Sequence, residues 1–252
     1  MFRTETLEDS GYDEIVSLLR SGGVIAFPTD TAYGLGADPF TDAAIDRIFE
    51  VKGRSEDKPI LLLVDSVAMA ESVTTPSAAF YKLVEQFWPG PLTVILPAAK
   101  SVPLKLTAGT RTVGVRWPMA GFAVNLMRHF GRPITATSAN RSGRPAAVTA
   151  EEVRAQLDER IDALIDGGPL PFGGGSTVID LTMDPPVLLR EGPISFETLQ
   201  TPFHGRIRRH SPKANLGRFI LPRLATCNVG TLKALAPEGQ YPAGPPEGPH
   251  QP

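Results

Sequence analysis

Apolar residues along the first 200 positions recur with two spacings. In Tyr12–Arg20 and Asp42–Val51 they stand three or four residues apart, which predicts amphipathic helices. Val24–Phe27, Ile60–Val64 and Thr112–Arg116 are short apolar runs, which predicts buried strands. The same patterns predict further helices over Ser77–Phe87, Gly121–Phe130 and Thr149–Leu157, and further strands over Leu92–Leu96, Ile134–Thr137, Ala163–Ile165, Thr177–Leu181 and Val187–Arg190. Intermixed helices and strands with short connections predict an α/β fold, a single domain with a twisted mixed sheet flanked by helices.

The character of the chain changes near residue 201. Residues 1–200 carry 18 Lys or Arg and 25 Asp or Glu, whereas residues 201–252 carry 7 and 2. The last 17 residues contain nine Pro or Gly. They have too few apolar groups to fold by themselves. We therefore predict a catalytic domain over 1–200 and a basic, partly disordered extension over 201–252, with the edge at 200–205.

Composition limits the compartment. Cys227 is the only cysteine, which excludes a disulfide within the chain and favours a reducing cytoplasm. The chain contains no run of about 18 apolar residues, so we predict no membrane span. The acidic start of the chain does not resemble a signal peptide. We expect a cytoplasmic protein.

Positive charge is concentrated inside the otherwise acidic domain. Between Glu85 and Glu151 there are eight Lys or Arg and no acidic residue. Such a field favours a polyanion, either phosphates or nucleic acid, although scattered solvated cations would give the same count. The chain has no P-loop, no dinucleotide fingerprint and no nucleophile elbow, and no His/Cys cluster with zinc spacing. Side chains must therefore supply much of the charge for any bound phosphate, and we predict no metal site of protein ligands.

Three polar stretches adjoin predicted strands. FPTDTAYGLGADPF (27–40) offers hydroxyls, a carboxylate and glycines, and TATSANRSGRP (135–145) offers Ser138, Asn140 and Arg144. FGGGSTVID (172–180) places three glycines before Ser176, where exposed amides could approach an anion. Ligands of α/β proteins bind at strand ends, but each stretch is also compatible with an ordinary hydrogen-bonded turn.

Seven motifs in order resemble those of the YrdC/TsaC family of threonylcarbamoyl-AMP synthases, across roughly residues 10–200. They are PTDTAYGLGAD, KGR with KP, PGPLT, VGVRWP, TSANRSG, STVID and LREGPIS. The resemblance implies a YrdC-like fold with an open, basic concave face. It also implies a nucleotidyltransferase that converts L-threonine, bicarbonate and ATP to threonylcarbamoyl-AMP and pyrophosphate, for threonylcarbamoyl-adenosine modification of tRNA.

The resemblance also assigns roles to residues. The family signature matches Lys52, Arg54, Ser138 and Asn140, and we expect Lys52 and Arg54 to be catalytic and to line an open cleft. Nine residues form the expected site. ATP would contact Lys52, Arg54, Lys58, Ser138, Asn140 and Arg190, and threonine would contact Thr31, Arg116 and Ser176.

The implied partners are Mg²⁺ bridging the phosphates, a TsaD-family transferase that receives the product, and tRNA at the basic face or the extension. Ser55 departs from the proline that is usual after the arginine of this motif, so the loop after Arg54 is expected to be more mobile. Two alternatives remain open at this point: a non-catalytic RNA- or nucleotide-binding module, and a domain that handles carbamoyl-adenylate.

Overall fold

A computed structural model describes residues 1–4, 8–170 and 174–210 of the chain. The predicted mixed α/β fold is confirmed. The described residues form helices α1 Asp9–Arg20, α2 Asp42–Lys52, α3 Val67–Val73, α4 Ala78–Phe87, α5 Phe122–Phe130, α6 Ala150–Leu157 and α7 Phe196–Gln200. They form strands β1 Phe2–Arg3, β2 Ile25–Phe27, β3 Gly34–Gly36, β4 Leu62–Leu63, β5 Leu92–Pro97, β6 Thr112–Arg116, β7 Ile134–Thr135, β8 Thr137–Ser138, β9 Ala163–Asp166, β10 Thr177–Asp180, β11 Val187–Arg190 and β12 Arg208–Arg209.

The strands form two sheets rather than one. Five strands pair in the order β1-β9-β2-β3-β8, and seven pair in the order β12-β11-β10-β5-β6-β4-β7. Parallel and antiparallel pairs occur in both sheets. The predicted strand Ile134–Thr137 is divided between them, because β7 pairs with β4 while β8 pairs with β3. This segment therefore joins the two sheets.

Two apolar clusters hold the sheets and helices together. In one, Leu19 of α1 and Leu126 of α5 pack with Phe27 and Ile165 of the five-stranded sheet. In the larger, the buried face of α2 packs with residues of both sheets and with α4. All these side chains are removed from water, which is the main favourable term in folding. The rigid clusters fix the ends of the strands, where the polar motifs lie.

The chain continues in regular structure beyond residue 200. After α7, β12 pairs in parallel with β11, and Ile207 is buried. Residues 211–252, which include Cys227 and most of the predicted extension, lie outside the described residues, so the position of the domain edge stays a prediction. No helix in the described part of the chain is long and apolar enough to cross a membrane.

Candidate active site

Lys52 is the last residue of α2, and its side chain turns into the protein. Only 2% of it is exposed. Its Nζ donates to the main-chain oxygen of Ser138, to that of Asn140 at 2.9 Å and to Asn140 Oδ1 at 3.2 Å. Three acceptors match the three hydrogens of an ammonium group. The expectation that Lys52 lines an open cleft is therefore wrong: the residue is buried and anchors the loop after β8.

The surroundings of Lys52 disfavour its positive charge. Burial and, to a lesser extent, the nearby charge of Arg54 lower the pKa of Lys52 from 10.5 to about 7. A negative ligand next to this group would favour the charged form and raise the pKa again.

The loop after β8 is closed by its own asparagine. Asn140 Nδ2 donates to the main-chain oxygens of Arg141 at 3.0 Å and Arg144 at 2.6 Å, and Ser138 Oγ donates to Asn140 Oδ1. In addition, the amide of Ser142 donates to the Lys52 oxygen at 2.8 Å. Lys52, Ser138 and Asn140 therefore form one hydrogen-bonded unit, which we call the lysine anchor.

Arg54 lies beside the lysine anchor. Gly53 takes the left-handed conformation at φ 56°, which favours glycine, and ends α2. Arg54 Nη2 donates to the Pro59 oxygen at 3.0 Å, while the buried Nε has no partner among the described residues. Burial lowers the pKa of Arg54, and Asp57 partly offsets this. Lys58 lies in the next turn, half-buried.

A second group of polar residues surrounds Arg116 at the end of β6. Arg116 is 4% exposed and donates from Nη1 to Asp30 Oδ1 at 2.9 Å and from Nη2 to Thr29 Oγ1 at 3.3 Å. Burial lowers the pKa of Arg116, and the Asp30 carboxylate opposes that shift. Thr31, also buried, has its Oγ1 3.3 Å from Thr29 Oγ1. The turn between β2 and β3 thus presents the Asp30 carboxylate and the Thr29 hydroxyl to Arg116, with the Thr31 hydroxyl next to that of Thr29.

Ser176 and Arg190 form the other side of this group. Ser176 Oγ lies 2.7 Å from Thr93 Oγ1, while Arg190 donates from Nε to the Ser176 oxygen at 2.8 Å and from Nη2 to Ser176 Oγ at 3.2 Å. Burial, and then the charge of Arg116, lower the pKa of Arg190 to about 10. We call Thr29, Asp30, Thr31, Thr93, Arg116, Ser176 and Arg190 together the arginine cluster.

Strand order explains why residues so distant in sequence meet. Arg116 and Arg190 end β6 and β11, while Ser176 precedes β10 and Thr93 is the second residue of β5. Because β5 and β10 run parallel to each other and antiparallel to β6 and β11, all four positions fall at the same edge of the seven-stranded sheet. Two arginines thus lie at this end of the sheet, and of the two only Arg116 has a carboxylate partner among the described residues, so the end is a candidate anion site.

The lysine anchor and the arginine cluster are neighbours. Ser138 is paired with Gly34 across β8 and β3. A Cβ added at Gly34 would lie 3.6 Å from Thr29 Cγ2. The strand pair therefore brings the anchor next to the turn that carries Thr29, Asp30 and Thr31.

Sequence reasoning did not assign three of these residues. Thr29 and Asp30 stand inside a motif that it singled out, and Asp30 is the one carboxylate in the run FPTDTAYGLG. A single acidic residue among the hydroxyl groups of this motif could have been used to single out Asp30. Thr93 carried none, since its role depends on the pairing of β5 with β10.

Other features of the surface lie apart from these groups. A depression of about 530 Å³ is lined by Phe40, Met69, Ser72, Gly131, Arg132 and Pro133, none of which is a predicted site residue. Among the described residues, no group of three His, Cys, Asp or Glu is placed to hold a metal ion.

A model of the Sua5_yciO_yrdC family, described as "Telomere recombination", matches residues 17–192. This chain belongs to that family. The chain is also similar to curated proteins named threonylcarbamoyl-AMP synthase. It is 41% identical over 208 residues to that of Pyrococcus abyssi, covering 82% of this chain and 61% of the relative, and 42% identical over 189 residues to that of Bacillus subtilis, covering 74% and 55%.

A solved structure of the same family has a similar fold. The crystal structure of P. abyssi Sua5 complexed with L-threonine matches with a TM-score of 0.78 and 40% identity, over 83% of this chain and 61% of that one. The chain thus spans little more than half the length of these curated relatives. The predicted membership of the YrdC family is confirmed.

Proposed function

We propose that the protein is a nucleotidyltransferase that forms threonylcarbamoyl-AMP and pyrophosphate from L-threonine, bicarbonate and ATP. The observation that carries the proposal is the adjacency of the lysine anchor and the arginine cluster. A carbamate and the α-phosphate of ATP are both negative, so their reaction needs fixed cations where they meet. Arg54, Arg116 and Arg190 provide such charges around two groups of hydroxyls.

Each group of residues has a role in the proposed reaction. The threonine nitrogen attacks the carbon of bicarbonate, which gives a carbamate and water. A carbamate oxygen then attacks the α-phosphorus and pyrophosphate leaves. In this scheme Arg54, Lys58 and Arg190 offset the charge of the phosphates, and Ser138 and Asn140 shape the nucleotide side of the site. Lys52 holds that loop in place and responds to the phosphate charge.

Threonine is assigned to the arginine cluster. Arg116 would bind its carboxylate, and Thr31 and Ser176 would contact the amino acid beside it. The proposal is supported by the P. abyssi Sua5 complex with L-threonine, a protein 40% identical to this chain. Serine should be a poorer substrate by about 10–200-fold, since it lacks one methyl group.

The remaining partners follow from the same proposal. Mg²⁺ would accompany ATP, with phosphate oxygens and water as its ligands, because it favours octahedral oxygen sites. The product is passed to a TsaD-family transferase for tRNA modification in the cytoplasm. Of the eight cations between Glu85 and Glu151, Arg116 is buried; the other seven, or the basic extension, offer a surface for tRNA.

The test is pyrophosphate release from ATP and Mg²⁺, with threonine and bicarbonate each omitted in turn. Release should require both. Release at the same rate without threonine would indicate a simple ATPase and contradict the proposal. Nucleotide binding without release under any condition would favour the non-catalytic binding module.

A further inference from the structure

We propose that Asp30 binds the α-ammonium group of the amino-acid substrate, beside the arginine that binds its carboxylate. The inference rests on the proposed function, because it takes threonine as the ligand of the arginine cluster. It goes further in giving Asp30 a binding role.

The two oxygens of the Asp30 carboxylate have different surroundings. Oδ1 accepts from Arg116 Nη1 at 2.9 Å. Oδ2 is buried but has no hydrogen-bond partner among the described residues. A buried carboxylate oxygen without a donor carries a desolvation cost, so this atom indicates a missing donor.

The neighbours of Asp30 narrow the identity of that donor. Thr29 Oγ1 already donates to the Ala32 oxygen at 2.7 Å and accepts the Arg116 contact, so it is not available to Oδ2. Arg116 reaches only Oδ1. Neither neighbour therefore supplies a donor for Oδ2, and the negative charge of the carboxylate favours a cationic ligand.

The charge balance favours a zwitterion over a simple cation. Arg116 and Asp30 form a pair with side-chain exposures of 5% and 14%, and the pair has no net charge. An α-amino acid has its carboxylate and ammonium on the two sides of one carbon, and it is also neutral overall. Binding carboxylate to arginine and ammonium to aspartate would pair each charge of the amino acid with a group of opposite charge.

The contact is compatible with the reaction that follows. The bound ammonium group first loses a proton to solvent. The neutral amine then attacks bicarbonate, and a second hydrogen leaves in the water that forms, so the carbamate nitrogen keeps one hydrogen. That hydrogen can still donate to Asp30 Oδ2, in a hydrogen bond that is weaker than one between two opposite charges. Asp30 therefore selects the free amino acid more strongly than the intermediate.

The experiment compares two ligands on two proteins. One ligand is L-threonine, and the other is 2,3-dihydroxybutanoate of matching configuration, in which a hydroxyl replaces the ammonium. Asp30→Asn keeps an oxygen for Arg116 and removes the charge. Binding of both ligands to the purified full-length chain is measured by calorimetry or ligand-observed NMR, after thermal unfolding has verified that the variant is folded.

We expect the parent protein to prefer threonine by at least about 10-fold, and Asp30→Asn to weaken threonine by about 10–100-fold with little effect on the dihydroxy acid. Asp38→Asn is the matched control, since Asp38 is buried in the same motif but pairs with Arg132 at 3.1 Å. It should leave the preference unchanged.

Four results would differ from this expectation. Equal weakening of both ligands by Asp30→Asn would assign Asp30 a purely structural role and overturn the inference. A parent protein without preference, or an Asp30→Asn variant that keeps it, would overturn it as well. Absence of any threonine binding to the parent would instead contradict the proposed function, and the inference with it.

Discussion

At the scale of single residues, Lys52 joins α2 to the loop after β8. Its ammonium group is the donor for three oxygens of Ser138 and Asn140. The motif that contains Lys52 could be recognised in the sequence, but the burial of the Lys52 side chain could not. A lysine followed by Gly53 and Arg54 resembles an exposed helix end, and only the approach of β8 removes its side chain from water.

Lys52→Met should destabilise the protein by an amount that grows with pH. Loss of the ammonium group removes three hydrogen bonds. Asn140 Oδ1 keeps the Ser138 hydroxyl as a donor and the Ser138 oxygen keeps the Asn140 amide, whereas the main-chain oxygen of Asn140 loses its donor among the described residues, a cost of about 1–3 kcal/mol. The pKa of Lys52 is about 7 when folded and 10.5 as a free side chain. Between these values the unfolded state binds more protons, so the stability that the parent owes to Lys52 rises with pH, by at most about 1.4 kcal/mol per unit.

Below pH 7 Lys52 is protonated in both the folded and the unfolded state. The cost of burying its charge is then complete, so the stability difference between parent and variant should no longer change with pH. Urea unfolding of parent and variant at pH 6.5, 7.5, 8.5 and 9.5 checks this. Lys82→Met, at an exposed position of α4, is the control and should change stability by less than about 0.5 kcal/mol. A difference between parent and Lys52→Met that is the same at every pH would contradict the lowered pKa.

At the scale of elements, the sequence pattern located most strands and helices but not their pairing. Thr112–Arg116 and Val187–Arg190 were predicted with their observed bounds. The strand Gly34–Gly36 was missed because glycine has a low strand propensity, and the close approach of Phe27 and Ile134 to Gly36 explains why larger residues are absent. The order of the motifs in the sequence identified the family. The convergence of four strand ends became visible only from the pairing of the strands in the sheet.

Gly192→Ala tests whether the segment after β11 positions the site. A Cβ there would lie 2.6 Å from the Thr177 amide and 2.8 Å from the Ser176 carbonyl carbon. The segment must move, which disturbs the Ser176–Arg190 contacts. We expect a loss of about 1–3 kcal/mol in stability and at least about 10-fold in pyrophosphate release.

Gly174→Ala is the matched control, since a Cβ at that position meets no atom of the described residues within 4 Å. It should affect neither thermal unfolding nor pyrophosphate release. If Gly192→Ala keeps parental activity, the segment does not position the arginine cluster.

At the scale of the whole molecule, the edge of the catalytic part can be located by two truncations. In β12, the amides of Arg208 and His210 donate to the oxygens of Pro186 and Leu188, both at 2.9 Å, and Ile207 is buried. A chain that ends at His210 should therefore match the parent in stability and pyrophosphate release.

A chain that ends at Gly205 should lose about 2–4 kcal/mol, because it lacks the β12 contacts and the burial of Ile207. Urea unfolding and pyrophosphate release of both truncated chains are the measurements. If the chain that ends at His210 is folded but loses most of its activity, residues 211–252 belong to the active site.

The central claim is that the two clusters join threonine, bicarbonate and ATP in one reaction. It is tested most directly by following ¹⁴C from bicarbonate in the presence of ATP, Mg²⁺ and threonine. The account predicts label in a product that also contains AMP and threonine, in a one-to-one ratio with pyrophosphate, and its loss by about 100-fold or more in Arg54→Ala. Pyrophosphate released without label in any AMP-linked product would contradict the account.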